Sequence, residues 1–199
     1  MNRILLLLVS FMLLGQCNQS VDDSQKQKIV LGLFDQFQMD LSKELSTSMK
    51  RTGPLGSISN CKLISPAKEK DYLDTHSIRI RRVSEKYRNP DHKPDEWESI
   101  VLQKWAKELK EGKEISVSFT KTSEGFRVMR PIKINNSLCL QCHGKSNDMD
   151  PELISQLKEL YPEDRALEYE MNQLRGAFSA IWPDKSAYFK MMRHNDLNQ

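Results

Sequence analysis

One short motif, Cys139-Leu140-Gln141-Cys142-His143, constrains this chain more than any other feature of its sequence. Two thiols that are separated by two residues and followed directly by a histidine form the pattern on which haem c is attached. Both sulfurs can bond to the haem from one tight loop, and the histidine then becomes an axial ligand of the iron. We therefore expect one covalently attached haem c, held by Cys139 and Cys142, with His143 on the iron.

Three other interpretations of the Cys-x-x-Cys pair compete with haem attachment. A thioredoxin-like dithiol should follow a strand and open a helix, whereas residues 135–137 before the motif are turn-forming. A zinc knuckle needs two more ligands at short spacing, and the sequence has no second Cys-x-x-Cys or His-x₃₋₅-His. A disulfide across two residues is strained. The histidine directly after Cys142 favours haem attachment.

The N-terminus indicates export. Arg3 is followed by an apolar run over residues 4–14, which is too short to span a bilayer as a helix and is typical of a signal peptide. The ending Leu14-Gly15-Gln16-Cys17 is similar to a bacterial lipoprotein cleavage site, where Cys17 would carry the lipid. Gln16 departs from the small residue that usually precedes such a cysteine. An ordinary signal peptide or an uncleaved anchor is the alternative.

These features divide the chain into four parts and place it outside the cytoplasm. We expect an exported protein on the periplasmic side of a bacterial membrane, anchored there through the lipid on Cys17. The expected parts are a signal peptide over 1–16, a lipid-anchored tether over 17–25, a haem c-binding domain over 26–185 and a polar tail over 186–199.

Counting the cysteines leaves one thiol, Cys61, without an assigned role. Three roles are open for it. As a thiolate it would bind the iron opposite His143 and stabilise the ferric state. Alternatively, it is an inert buried residue, or it forms a disulfide with Cys17 where lipidation fails. The other candidates for the second iron ligand are Met129, Met149, His76, His92 and His194.

The rest of the sequence predicts one α+β domain. The whole chain has a net charge of +3, and its basic residues do not form the concentrated stripe that binds nucleic acid, so we expect no nucleic-acid partner. The long first helix has enough apolar spacing to pair with a copy of itself or to pack on its own domain. Helices are predicted over 24–51, 57–70, 95–111 and 150–161, with a stop at 53–56, and strands over 77–84, 115–119, 126–128, 132–134 and 175–182.

A resemblance is carried by Cys61 with Ser65-Pro66-Ala67, by residues 82–90 and 94–98, by 130–132 and 139–144, and by 161–166 and 174–179. Together these stretches resemble the single-haem c-type cytochrome domain with a PAS-like fold, long catalogued as a domain of unknown function. The resemblance spans about residues 28–182. It implies an antiparallel sheet flanked by helices, with a haem buried against the sheet and Cys61 facing it as the second iron ligand.

The resemblance also implies a role in electron transfer or in redox or ligand sensing, with a redox or signalling protein as partner. Members of the family often form the sensory part of kinases and chemoreceptors, but this chain has no transmitter domain and no second membrane helix. Residues 167–170, Leu-Glu-Tyr-Glu, stand where the family commonly has a glycine-containing turn.

The remaining expectations concern charge and catalysis. Arg88 or Arg130 is expected to neutralise a haem propionate, unless each is a solvated charge at a strand edge.

A haem enzyme such as a peroxidase needs an open iron face and a distal acid–base pair. The sequence contains no motif typical of such a pair, so we expect no enzymatic activity. The alternatives to electron transfer or sensing are a peroxidase-like haem enzyme and a ligand-binding signalling partner of a separate membrane protein.

Overall fold

The computed structural model describes residues 21–184 and 186–188. The expected signal peptide, Cys17, His194 and most of the C-terminal tail lie outside the described residues. The elements in chain order are α1 (Asp23–His76), β1 (Arg79–Val83), α2 (Glu96–Lys110), β2 (Ser118–Thr122), β3 (Gly125–Lys133), α3 (Ser137–His143), α4 (Pro151–Leu160) and β4 (Leu174–Pro183). Two single 3₁₀ turns lie at Pro90–His92 and Ser146–Asp148. This α+β architecture with a long N-terminal helix confirms the predicted fold class.

The four strands form one antiparallel sheet in the order β1-β4-β3-β2. The strand predicted over 115–119 begins later, at Ser118, and runs on to Thr122. The two short strands predicted over 126–128 and 132–134 are one strand, β3. Pro131 is tolerated there because β3 pairs with β2 only as far as Met129, so the missing N–H costs no ladder bond on that side.

The two helices predicted over 24–51 and 57–70 are the two arms of α1, residues 23–52 and 54–76. They meet at Gly53, the one residue of α1 with non-helical backbone angles, φ 65° and ψ −171°. Tyr72 Oη donates to Asp40 Oδ2 at 3.1 Å and Asn60 Nδ2 donates to Ser48 Oγ at 2.7 Å. Because these contacts pair early residues with late ones, the arms run antiparallel. The second arm is also longer than predicted.

The helices cover both faces of the sheet. On one face, Val30, Phe34 and Phe37 of the first arm pack against β-strand residues such as Val128 and Phe178. This packing buries the apolar face of the first arm within its own domain, which favours the second of the two expectations for that helix. The other face carries α2, where Val101, Leu102 and Trp105 pack on Val83, Met129 and Ala177.

The second helix, α2, begins and packs largely as predicted, with one correction. Asp95 caps it, accepting a hydrogen bond from the Glu98 N–H at 3.0 Å. The apolar spacing of the sequence predicts Ile100 on the buried face together with Trp105, and this is wrong for Ile100, which is 60% exposed, whereas Val101 and Leu102 are buried. Within the described residues, no helix is long and apolar enough to cross a membrane.

The reversal between the arms of α1 should depend on the glycine at position 53. An alanine Cβ there would meet no atom within 4 Å, so the cost of Gly53→Ala comes from the backbone angle alone. We expect this variant to lower the free energy of unfolding by about 1–3 kcal/mol in urea titrations followed by circular dichroism. The matched control is Gly32→Ala, at an equally open helical site, which should raise it by about 0.5–1 kcal/mol. Equal effects of the two variants would contradict a strained reversal at Gly53.

Candidate functional site

The Cys-x-x-Cys-His motif lies on the short helix α3, which follows β3. Asn136 caps this helix, because its Oδ1 accepts a hydrogen bond from the Leu138 N–H at 2.8 Å. The turn-like segment expected before the motif is present, since residues 134–136 between β3 and α3 are neither helix nor strand. The motif nevertheless follows a strand and lies on a helix, so this local arrangement does not by itself separate it from a thioredoxin-like dithiol. Cys139 and Cys142 are free thiols one helical turn apart.

The helix α3 ends at a glycine that no other residue could replace without movement. Gly144 donates its N–H to the Leu140 carbonyl at 2.9 Å. A Cβ at this position would lie 2.5 Å from that same carbonyl oxygen, which is closer than real contacts allow. The chain can therefore turn away directly after His143 only because the next residue has no side chain.

The imidazole of His143 is held in one orientation. Its Nδ1 lies 2.8 Å from the Ala166 carbonyl oxygen, and because a carbonyl only accepts, Nδ1 carries the proton. Nε2 is then the nitrogen that is free to bind a metal. Burial holds the pKa of His143 well below its usual range, and the positive charges of Arg175 and Arg88 lower it further. The side chain is therefore neutral, which is the form that ligates iron.

The Ala166 carbonyl belongs to a loop over residues 161–173 that runs alongside α3. The Glu168 and Tyr169 N–H groups donate to the Gly144 and His143 carbonyls, each at 2.9 Å. Glu168 lies in the stretch 167–170, where the resemblance implies a glycine-containing turn, and it adopts a left-handed φ of 62°. Its carboxylate accepts bonds from Ser146 N at 2.8 Å and Ser146 Oγ at 2.5 Å, and these bonds lower the pKa of Glu168. They offset the unfavourable backbone angle.

Arg88 clamps the end of the motif to the same loop. Its Nε donates to Asp164 Oδ2 at 2.9 Å and its Nη2 donates to the Cys142 carbonyl at 2.6 Å. Asp164 Oδ1 accepts from the Ala166 N–H at 2.7 Å, so one carboxylate orders both Arg88 and the His143 acceptor. The two side chains are only 13% and 7% exposed. Removing one partner of such a buried pair typically costs about 3–5 kcal/mol.

Arg130, the other basic residue expected at a propionate, lies elsewhere in the fold. Its Nη1 donates to Asp35 Oδ1 at 2.5 Å and its Nη2 donates to Gln38 Oε1 at 3.1 Å, both on the first arm of α1. Its guanidinium also stacks over Phe34 and Phe178. These contacts are with the first arm and β4, and none is with the motif.

Cys61 is brought close to the motif by the second arm of α1. Burial raises the pKa of the Cys61 thiol, while the positive charges of Arg82 and Arg88 lower it. Burial likewise raises the pKa of Cys142, and the neighbouring Cys61 raises it further, so the two thiols lie close enough to interact. Cys61, Cys142 and Arg88 thus lie within electrostatic range of one another, and the role of Cys61 as an iron ligand stays a prediction.

The other candidates for the second ligand have different surroundings. Met129 is fully buried in the cluster under α2. His92 Nε2 lies 2.9 Å from Glu69 Oε1, and His76 is an exposed residue stacked beside Tyr72 at the end of α1. Met149 packs between the second arm and α4. Among the described residues, none of these four has a hydrogen bond or ring contact with the motif, and Met149 and the motif residue Gln141 line one cavity. His194 lies outside the described residues.

Positive charge is in excess around His143. Arg82, Arg88 and Arg175 all act on it, yet within the described residues only Arg88 has an ion-pair partner, Asp164. Burial lowers the pKa of Arg175 to about 10. The Nε atom of Arg82 is buried without a hydrogen-bond partner. Paired thiols, a neutral imidazole and an unbalanced cationic surrounding fit a porphyrin that carries carboxylates.

Two cavities lie between the second arm of α1 and α4, and one of them reaches the motif. A cavity of about 230 Å³ lies between the start of the second arm and α4 and touches the motif only at Gln141. A second cavity, of about 410 Å³, lies farther along α4 and has no motif residue in its lining. An apolar cluster centred on Ile58, Leu153 and Leu157 fills the space between these helices. In the described ranges, no three His, Cys, Asp or Glu side chains are placed to hold a bare metal ion.

Comparison with known proteins agrees with this fold. The profile of the Tll0287-like family matches residues 18–183. A solved structure described as the crystal structure of the cyanobacterial heme-protein Tll0287 superposes with a TM-score of 0.62. The two chains are 22% identical, and the match covers 82% of this chain and 97% of that one. At this identity the likeness establishes the fold. No curated protein matches the chain significantly.

Proposed function

The chain belongs to the Tll0287-like family, and from this premise we propose that it is an exported monohaem c-type protein for electron transfer or for redox or ligand sensing. One observation carries the proposal: the imidazole that follows the two thiols has its Nδ1 bonded to the Ala166 carbonyl and its Nε2 free. A related protein of known structure is described as a heme-protein, which supports the same cofactor here.

Four residues would hold the haem. Cys139 and Cys142 are proposed to form the thioether bonds, and His143 Nε2 is the proposed axial ligand on one side of the iron, with Cys61 on the other. A bound haem supplies an iron that gains and loses one electron. The Ala166 carbonyl orients the imidazole and increases its basicity, as partners of ligating histidines generally do.

Cys61 as the second ligand is supported by its neighbours. Burial raises the pKa of Cys61, whereas the guanidinium charges of Arg82 and Arg88 lower it, so these two charges are the neighbours that would stabilise a thiolate on the iron. A protein ligand on each side of the iron suits electron transfer, whereas a peroxidase needs one open face. We therefore propose a non-enzymatic role, with a redox or signalling protein as the partner.

The ferric absorption and electron paramagnetic resonance spectra test this ligation. We expect the native holoprotein to be low-spin, and Cys61→Ala to lose that spectrum and bind carbon monoxide readily when reduced, because one iron face becomes open. Leu63→Ala is the control, since Leu63 lies two residues along the same arm and is 73% exposed. A low-spin spectrum unchanged in Cys61→Ala would remove Cys61 from the site. A high-spin native spectrum would instead favour the enzyme or gas-binding alternative.

Export and lipid attachment are part of the same proposal. Residues 1–16 are proposed as a signal peptide and Cys17 as the lipidated first residue of the mature protein, on the periplasmic side of a bacterial membrane.

Fractionation of the expressing bacterium checks the anchor. We expect the native chain in the membrane fraction with an acylated N-terminal Cys17 by mass spectrometry, and Cys17→Ser in the soluble fraction or unprocessed. Ser20→Ala, in the same polar tether, should behave as the native chain does. An unmodified native N-terminus, or a Cys17→Ser variant that stays processed and membrane-bound, would contradict lipidation.

A further inference from the structure

A chain of polar contacts leads from the second arm of α1 to Arg82, a residue without a role in the function proposed above. Arg82 Nη2 donates to Ser65 Oγ at 2.7 Å. Ser65 Oγ in turn donates to Glu69 Oε1 at 3.2 Å, and His92 Nε2 lies 2.9 Å from the same oxygen. In this series of contacts, Ser65 accepts a hydrogen bond from Arg82 and donates one to Glu69, so both of its neighbours are matched.

The spacing of these residues shows that the series of polar contacts lies on the same helix face as Cys61. Cys61, Ser65 and Glu69 recur every fourth residue of the second arm, so they share one face of the helix. Ser65 is only 4% exposed, which keeps its bond to Arg82 out of water. The guanidinium is thus fixed from one side by a buried hydroxyl that lies one helical turn after Cys61.

The other side of the same guanidinium is unsatisfied. Arg82 Nε is buried and has no hydrogen-bond partner in the part of the chain that the structure describes. A buried donor without a partner costs about 1–3 kcal/mol. Arg88 and Arg130 each have a carboxylate partner, Asp164 and Asp35, whereas Arg82 has none among the described residues. Arg82 therefore offers a charged donor for an anion that the polypeptide itself does not supply.

The place of this donor identifies the anion. Arg82 Nη2 is held at 2.7 Å by Ser65, which lies one helical turn after Cys61 on the same face, so the guanidinium lies near the proposed second iron ligand. A guanidinium recognises a carboxylate by geometry as well as by charge. The carboxylates that a porphyrin would bring to this position are its propionates.

We propose that Arg82, oriented by Ser65 and Glu69, pairs through its Nε with a propionate of the bound haem. The inference rests on the haem binding proposed above and gives Arg82 the role that the sequence suggested for Arg88 or Arg130. Arg82 is a positioning residue. Its fixed positive charge near the iron also favours the reduced state, because that state carries one more electron.

The test compares purified holoproteins by resonance Raman spectroscopy of the propionate bending band and by redox titration. We expect Arg82→Gln to shift the band and to move the reduction potential to a more negative value. Arg82→Lys should shift the band but restore most of the potential, because it keeps the charge and loses Nε. Ser65→Ala should shift the band in the same direction by less. The matched control is Arg51→Gln, an exposed arginine on the first arm with the same change in charge, which should alter neither.

The outcomes separate this inference from the function on which it rests. A native chain without covalent haem would count against the proposed function before any Arg82 variant is made. A haem-loaded Arg82→Gln variant with an unmoved propionate band, or with a potential shift no larger than that of Arg51→Gln, would overturn the inference. Where Arg82→Gln does not fold, unmoved bands in both Arg82→Lys and Ser65→Ala would overturn it instead.

Discussion

The hydrogen bond from His143 Nδ1 to the Ala166 carbonyl is the interaction on which the other parts of this site depend. It fixes one tautomer, leaves Nε2 free, and requires that the loop over 161–173 lie against the end of α3. Asp164 holds the loop in this position, because its carboxylate accepts one hydrogen bond from the Ala166 N–H and another from Arg88 Nε. A single buried carboxylate thus couples the geometry of the imidazole to a residue far earlier in the chain.

The fold brings the parts of this site together from distant segments. The reversal at Gly53 turns the second arm of α1 back along the first, which carries Cys61 to the motif. β1 contributes Arg82 and pairs with the central strand β4, and the segment after β1 contributes Arg88. The site therefore exists only when the sheet and the helical hairpin are both formed, so site geometry and global stability are linked.

Much of the fold could be predicted because local periodicity decides it. The helices α2 and α4 begin at Asp95 and Asp150 as their capping residues indicate, and β1 and β4 lie where apolar alternation places them. The merging of two predicted strands into β3 could not be predicted, because it depends on Pro131 facing a side without a partner strand. The reversal between the arms likewise depends on tertiary contacts.

The thiols and the imidazole of the candidate site can be read from the sequence motif, whereas the partners of the charged residues around them cannot. The Ala166 acceptor has no sequence signal, because any residue supplies a backbone carbonyl. Arg82, Arg88 and Arg130 look alike as basic residues near strand ends, and only their partners separate them: Ser65, Asp164 and Asp35. In the stretch 167–170, where the resemblance implies a glycine-containing turn, Glu168 takes the left-handed backbone angle and accepts a hydrogen bond from Ser146, which lies 22 positions earlier in the sequence.

Covalent attachment of the haem is measured most directly by denaturing electrophoresis of the full-length chain, produced in a bacterium that matures c-type cytochromes, followed by staining for haem. We predict that the haem migrates with the unfolded polypeptide and that Cys139→Ser combined with Cys142→Ser abolishes the stain, because thioether bonds survive unfolding whereas axial ligands do not. A colourless native band, or pigment that separates from the polypeptide on unfolding, would contradict this prediction.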